Sequence, residues 1–299
     1  MILTPRIVKL STRTGIDIHR TLPNRHIRTI GAWCFVDHFG PTNQEDAMSV
    51  AAHPHVGLQT VSWLFAGEVE HRDSLGSVQV IHPGELNLMT AGRGVAHSEL
   101  SLPKSPTMHG VQLWTVLPDK DRNSDPSFDH YKDLPEFVRH GLRIRLFVGD
   151  FMGHHSPAKV FSDLIGAEME ILASSEAALP LHTDFEYGVL LVEGDLVINS
   201  SELPLNSLYY SAPGASQITL MSKKGAKIVL LGGKPFSEKI VMWWNFIGRT
   251  HEEIKQMRDD WNNHTERFPA FTDRIHGWIP APEMPNLKLH ARGNTAHES

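Results

Sequence analysis

Short apolar or alternating runs, each stopped by glycine or proline, recur along most of the chain. They cover 58–66, 77–82, 110–117, 142–149, 189–192, 218–220 and 227–231, and Pro83-Gly84, the 91–94 segment and Pro213-Gly214 punctuate them. In a strand, successive side chains point to opposite faces, so each run can turn an apolar face to a core. Many short strands separated by such turns build a sandwich or a barrel. No strand–helix alternation accompanies them, which argues against a doubly wound α/β sheet. The expected class is all-β.

A weak internal repeat refines this. Residues 64–68 (LFAGE) resemble 191–195 (LVEGD), and 87–94 (NLMTAGRG) resemble 207–214 (SLYYSAPG). Two similar β units in tandem account for the 299 residues. The stretch 118–135, rich in Asp, Pro, Asn and Ser, reads as the linker or crossover between them. One helix is expected near the end. Thr250 and Glu253 form a capping box, and Ile254, Met257 and Trp261 follow at helical spacing. The expected organisation is a barrel over 1–130, a second over 131–249, and a helix and tail over 250–299 packed on the barrels.

Charge and composition limit the partners. The formal net charge is -6 with no long basic run, so the footprint of direct nucleic-acid binding is missing. Apolar runs are too short to span a bilayer, so no membrane association is expected. Cys34 is the only cysteine, which suits a reducing compartment, and the first ten residues do not read as a signal peptide. The expected location is the cytoplasm.

Histidine is the unusual residue. The chain has 19, and His53, His55, His71, His82, His97 and His109 fall within one stretch. His53-Pro54-His55 and His97-Ser98-Glu99 share an i, i+2 spacing that puts both side chains on one strand face. On neighbouring strands the two pairs supply three imidazoles and one carboxylate, leaving open positions on an octahedral ion. Mixed nitrogen and oxygen donors suit Fe(II), Mn, Ni, Cu or Zn, and the lack of thiolates argues against a structural zinc cage. Gly57, Gly92 and Gly94 would let the backbone turn tightly beside them.

These segments resemble the pirin family. The resemblance is carried by 53–67 (HPHVGLQTVSWLFAG), 71–76 (HRDSLG), 83–99 (PGELNLMTAGRGVAHSE), 36–41 (VDHFGP) and 109–118 (HGVQLWTVLP). It is dense from about residue 30 to 118 and thinner beyond. It implies a bicupin, two tandem cupin β-barrels with a C-terminal helix and tail. It also implies iron in the N-terminal barrel, held by residues matching His53, His55, His97 and Glu99. Fe(II) is the expected ion, with Mn, Ni, Cu, Zn or Co as alternatives. Bacterial pirin-like proteins are associated with quercetin 2,3-dioxygenase activity, which opens a flavonol ring with O2 and releases carbon monoxide. A small aromatic, flavonol-like substrate is thus implied. Eukaryotic pirins are associated with transcription factors, which implies an alternative: an iron-binding, redox-sensitive regulator acting through a protein partner. Another small-molecule activity on the same scaffold, such as a metal-dependent isomerase, is a third.

One position departs from the pattern. Where many pirins carry Glu a few residues after the H-x-H, this chain has Gln59, which has no ionisable carboxylate and cannot act as a base. Glu99 is then the candidate catalytic group, and it could serve only by loosening from the metal. Gln59 either orients a bound ligand or is an ordinary surface or packing residue. Aligning Gly67 with Gly194 and Gly94 with Gly214 sets Pro180, His182, Gln217 and Thr219 against the four candidate ligands, and Glu186 against Gln59. No metal is therefore expected in the C-terminal barrel, which would serve to wall the first site and support packing. His38 and His71 either orient ligating imidazoles or are plain turn residues. Phe35, Trp63, Met89 and Trp114 line a pocket or fill the core, with the core favoured. Trp243-Trp244 is expected to anchor the tail by packing. Arg93 is a candidate for the pocket mouth on loop position alone.

Overall fold

The computed structural model describes residues 1–11, 14–42, 48–102, 107–271, 273–274 and 277–294. Among them the chain forms 25 strands and one α-helix, the all-β class expected from the run pattern. The run over 58–66 is the strand Leu58–Ala66, whose first seven residues are all buried. The run over 189–192 extends to Glu186–Gly194, and that over 227–231 to Ala226–Gly233. Most of the added residues are glycine or charged and carry little apolar signal, but their backbones still pair: Glu186 lies opposite Gly233 and Glu193 opposite Lys227.

The stretch expected as a linker holds a strand of its own, Ser127–Tyr131, next to Leu86–Thr90. Its residues are half-buried or exposed, and Phe128 is its one side chain packed on a hydrophobic cluster. Pairing there uses backbone groups and polar links such as His130 Nδ1 to Asn87 Oδ1 at 2.5 Å, which hydrophobic periodicity does not report.

Two compact units result. One, here the N-terminal barrel, consists of Val8–Ile18, Phe39–His130 and Ser237–Ser299; the other, the C-terminal barrel, of Met1–Ile7, His19–His38 and Tyr131–Phe236. Strand pairing in both is antiparallel. In the N-terminal barrel one sheet runs in the order Ser49–His55, Val95–Ser101, Val69–Asp73, Val78–Ile81. In the C-terminal barrel the corresponding sheet runs Ser175–Pro180, Gln217–Ser222, Leu196–Ile198, Ser201–Leu203. The chain order is the same in both. His97 lies opposite His53 and Gln217 opposite Pro180, so the register reproduces the alignment made from the glycines.

Each barrel closes around its own core. Leu146, Ile165, Tyr187, Val189 and Leu230 belong to that of the C-terminal barrel. Ile16, Phe39, Val50, Leu64 and Ile81 belong to one cluster of the N-terminal barrel. A second cluster there gathers Ala52, Val56, Ala96 and Phe246 with Ile254, Met257 and Trp261 of the helix His251–Asn262. Burying each large side chain of that apolar stripe contributes about 1.5–3 kcal/mol. Thr250 caps the helix by accepting from the Glu253 N–H at 3.1 Å. The Glu253 carboxylate reaches back past the cap to the Arg249 N–H at 2.6 Å and pairs with Arg122 at 2.9 Å. Trp243 and Trp244 pack on the same cluster, as the expected anchor. No described helix is long and apolar enough to cross a membrane.

Candidate metal centre

The strand Ser49–His55 points the His53 and His55 side chains to one face, because they are two residues apart. The neighbouring strand Val95–Ser101 sets His97 directly opposite His53. The three imidazoles therefore converge. A ligand atom from each lies within 4.8 Å of the other two, and all three residues are buried. Ring centroids are 4.4 Å apart for His53 and His97, 4.9 Å for His55 and His97, and 5.1 Å for His53 and His55.

Glycine makes this approach possible at two points. Gly57 follows the H-x-H strand at φ +75, and a Cβ there would stand 2.2 Å from the Ile247 carbonyl oxygen. Gly92, at φ +50, would put a Cβ 2.1 Å from the Ser124 carbonyl oxygen. Only glycine accepts both the left-handed backbone and the close contact.

The donor set fits a metal cation. His53 Nδ1 faces the Ala51 carbonyl oxygen at 2.9 Å, which leaves its Nε2 for a ligand. His55 Nε2 and His97 Nε2 face each other at 3.1 Å. Two neighbouring ligands about 2.1 Å from one ion stand about 3 Å apart, so this spacing accommodates a shared cation. His55 Nδ1 is buried with no hydrogen-bond partner among the described residues, so the ring's polar contact is on its Nε2 side.

Electrostatics keep the rings in their ligating form. Burial pushes the His53 pKa down to about 4; the Ala51 carbonyl opposes this and charge on His71 adds to it. Burial, then charge on His53 and His71, drives His55 well below its usual value. His97 is driven down by burial, then by charge on His53, His55 and His71. Neutral imidazoles bind a cation without first releasing protons.

Glu99 is not one of the three groups whose ligand atoms gather within 4.8 Å. It is buried on the same strand as His97, but the pairing with Ser49–His55 shifts between them, so Glu99 meets Val50. Burial raises its pKa, with charge on His71 opposing. On the other side the register stays regular, with His97 opposite Asp73 and Glu99 opposite His71.

His71 is no plain turn residue. Its Nδ1 meets His97 Nδ1 at 3.2 Å, its Nε2 meets Asp73 Oδ2 at 3.1 Å, and its ring stacks on Phe128 at 4.4 Å. Asp73 was absent from the sequence-based candidates. Its signal was the i, i+2 spacing of His71-Arg72-Asp73, which matches that of the two ligand pairs. Burial works against ionisation of Asp73, but hydrogen bonds from His71 and from the Ser77 N–H outweigh it and hold the carboxyl below its usual range.

The remaining candidates are placed as follows. Gln59 is fully buried, donates to Thr90 Oγ1 at 2.9 Å and accepts from Thr115 Oγ1 at 3.3 Å, so it is a core residue and not a surface one. Trp114 sets its ring edge-on to His55 at 5.1 Å. Trp63, Met89 and Phe35 are buried. His38 is buried on Trp33–Phe39, within the other compact unit. Arg93 is exposed and pairs with Asp125.

Comparison with known proteins agrees with this architecture. The pirin family model matches residues 15–115, and the model of the pirin C-terminal cupin domain matches residues 166–268. A Pseudomonas aeruginosa protein provisionally named a quercetin 2,3-dioxygenase is 43% identical over 274 residues, covering 91% of this chain and 87% of that protein. A pirin-like protein of Caulobacter vibrioides is 34% identical over 280 residues, 90% of this chain and 95% of that one. The crystal structure of a quercetin 2,3-dioxygenase from Acinetobacter baumannii aligns with a TM-score of 0.93 at 38% identity, covering 97% of each chain.

Proposed function

Because this chain belongs to the pirin family, we propose that it is a metal-dependent dioxygenase that opens the central ring of flavonols such as quercetin with O2. In this reading iron sits in the N-terminal barrel, held by His53, His55, His97 and Glu99. The convergence of three buried, neutral imidazoles carries the proposal. Relatives named for quercetin 2,3-dioxygenase activity support the substrate class.

When bound, the ion would supply Lewis acidity toward the flavonol's enolic oxygen and redox capacity for O2. The protein's share is to hold and shield. His53, His55 and His97 offer nitrogen donors fixed by strand register. Trp114 gives an apolar wall beside His55. Gln59 cannot take the flavonol proton, and its amide is tied to Thr90 and Thr115. Glu99 is the proposed proton acceptor, since burial favours its protonated form. The proposed compartment is the cytoplasm, consistent with a single buried cysteine.

Elemental analysis of the purified protein followed by quercetin turnover under air tests this. Iron with flavonol cleavage is expected, both lost in His97→Ala. Iron-loaded protein that cleaves no flavonol would overturn the enzymatic reading. That outcome would favour the second reading, an iron-dependent regulator acting through a protein partner. The buried, hydrogen-bonded Gln59 at the expected base position is the observation on its side. A partner captured in only one iron oxidation state would establish it.

A further inference from the structure

We infer that Asp73, acting through His71, fixes the tautomer of His97, so that Nδ1 carries the proton and Nε2 is bare toward the ion site. For His71 in its neutral form, which carries one ring proton, the chain of contacts leads there step by step. Asp73 Oδ1 accepts from the N–H groups of Leu75 and Ser77, both at 2.9 Å, so the carboxylate cannot turn away. Its Oδ2 lies 3.1 Å from His71 Nε2. An ionised carboxylate only accepts, so His71 Nε2 donates. Neutral His71 then has an accepting Nδ1. Among the described residues that nitrogen meets His97 Nδ1 at 3.2 Å, which must then donate. His97 Nε2 is left as an acceptor, 3.1 Å from His55 Nε2.

Burial makes the arrangement strict. Asp73, His71 and His97 are 1%, 3% and 1% exposed, so bulk solvent does not compete for these contacts. Phe128 stacks on His71 with an interplanar angle of 17°, holding the ring in the plane both contacts need. Asp73 and His71 act through His97 and are positioning residues. The consequence for metal affinity rests on the metal-site reading above, but the tautomer is a property of the metal-free protein.

Asp73→Asn turns the chain round. An amide nitrogen in place of Oδ2 donates to His71 Nε2, His71 Nδ1 then carries a proton, and it opposes the proton on His97. Loss of such a partner typically costs 10–100-fold in metal affinity, and a fall of about that size is expected for Ni(II) measured by calorimetry. Two His71 variants separate hydrogen bonding from packing. His71→Gln keeps an acceptor for His97 and should retain most of the affinity. His71→Phe keeps a ring on Phe128 but no acceptor, and should fall with Asp73→Asn. The reverse order, Phe mild and Gln severe, would overturn the inference.

Nitrogen-15 NMR of histidine-labelled, metal-free protein tests the tautomer directly. Protonated Nδ1 on His97 is expected in the wild type, and protonated Nε2 overturns the inference. A wild type that binds no Ni(II) would instead overturn the metal-site reading, and the NMR result would still decide the tautomer.

Discussion

At the scale of single residues, the candidate centre is governed by desolvation. His53 refuses a proton until about pH 4, against an ordinary value of 6.5, because burial penalises the imidazolium. The unfolded chain takes that proton near pH 6.5. Between the two values the unfolded state binds more protons, so stability falls as pH falls. The loss from His53 alone is of order 3 kcal/mol across that window. His55 and His97 shift in the same direction. Urea unfolding of the metal-free protein should therefore show a clear drop in stability from pH 7 to pH 4.5, and a shallower one in His53→Gln. An unchanged midpoint would mean that these rings are not held neutral. The spacing of His53 and His55 was legible in the sequence because strand geometry repeats every two residues. The shift that takes Glu99 to Val50 was not, because a bulge depends on the partner strand.

Elements show the same division. The helix His251–Asn262 was readable from Thr250, Glu253 and the Ile254, Met257, Trp261 stripe, all signals within one segment. Thr250→Ala should cost about 1 kcal/mol in thermal or urea unfolding, by leaving the Glu253 N–H without its partner. A larger penalty is expected at Gly57. Alanine there adds a left-handed backbone strain of about 1–3 kcal/mol and meets the Ile247 carbonyl oxygen. Gly57→Ala should lower the melting temperature and loosen the H-x-H strand; a variant as stable as the wild type would contradict the described turn. The strand Ser127–Tyr131 was not legible, because an edge strand can pair through its backbone alone while its side chains carry no apolar pattern.

Across the whole molecule, two barrels of one plan have diverged at the positions that matter. The C-terminal equivalents of the candidate ligands are Pro180, His182, Gln217 and Thr219. His182 is exposed beside Phe185; its backbone N–H donates to the Tyr187 hydroxyl at 2.9 Å and its carbonyl accepts from the Phe185 N–H at 3.1 Å. Glu186, opposite Gln59 in the alignment, is buried and accepts from the Gly31 N–H at 2.8 Å and the Tyr210 hydroxyl at 2.7 Å, which ties its barrel together. One metal ion per chain is the expected stoichiometry in native mass spectrometry. His182→Ala should leave it unchanged, and His97→Ala should abolish it. The sequence by itself determined the apolar-patterned strands, the paired histidines and the capped helix, because each is written in residues close together along the chain. Only the tertiary structure decided that Asp73 and His71 stand behind His97, that Glu99 pairs with Val50, and that Gln59 is bound by Thr90 and Thr115. Those facts depend on which strands become neighbours, and contacts between distant segments are set by register and packing that no local pattern encodes.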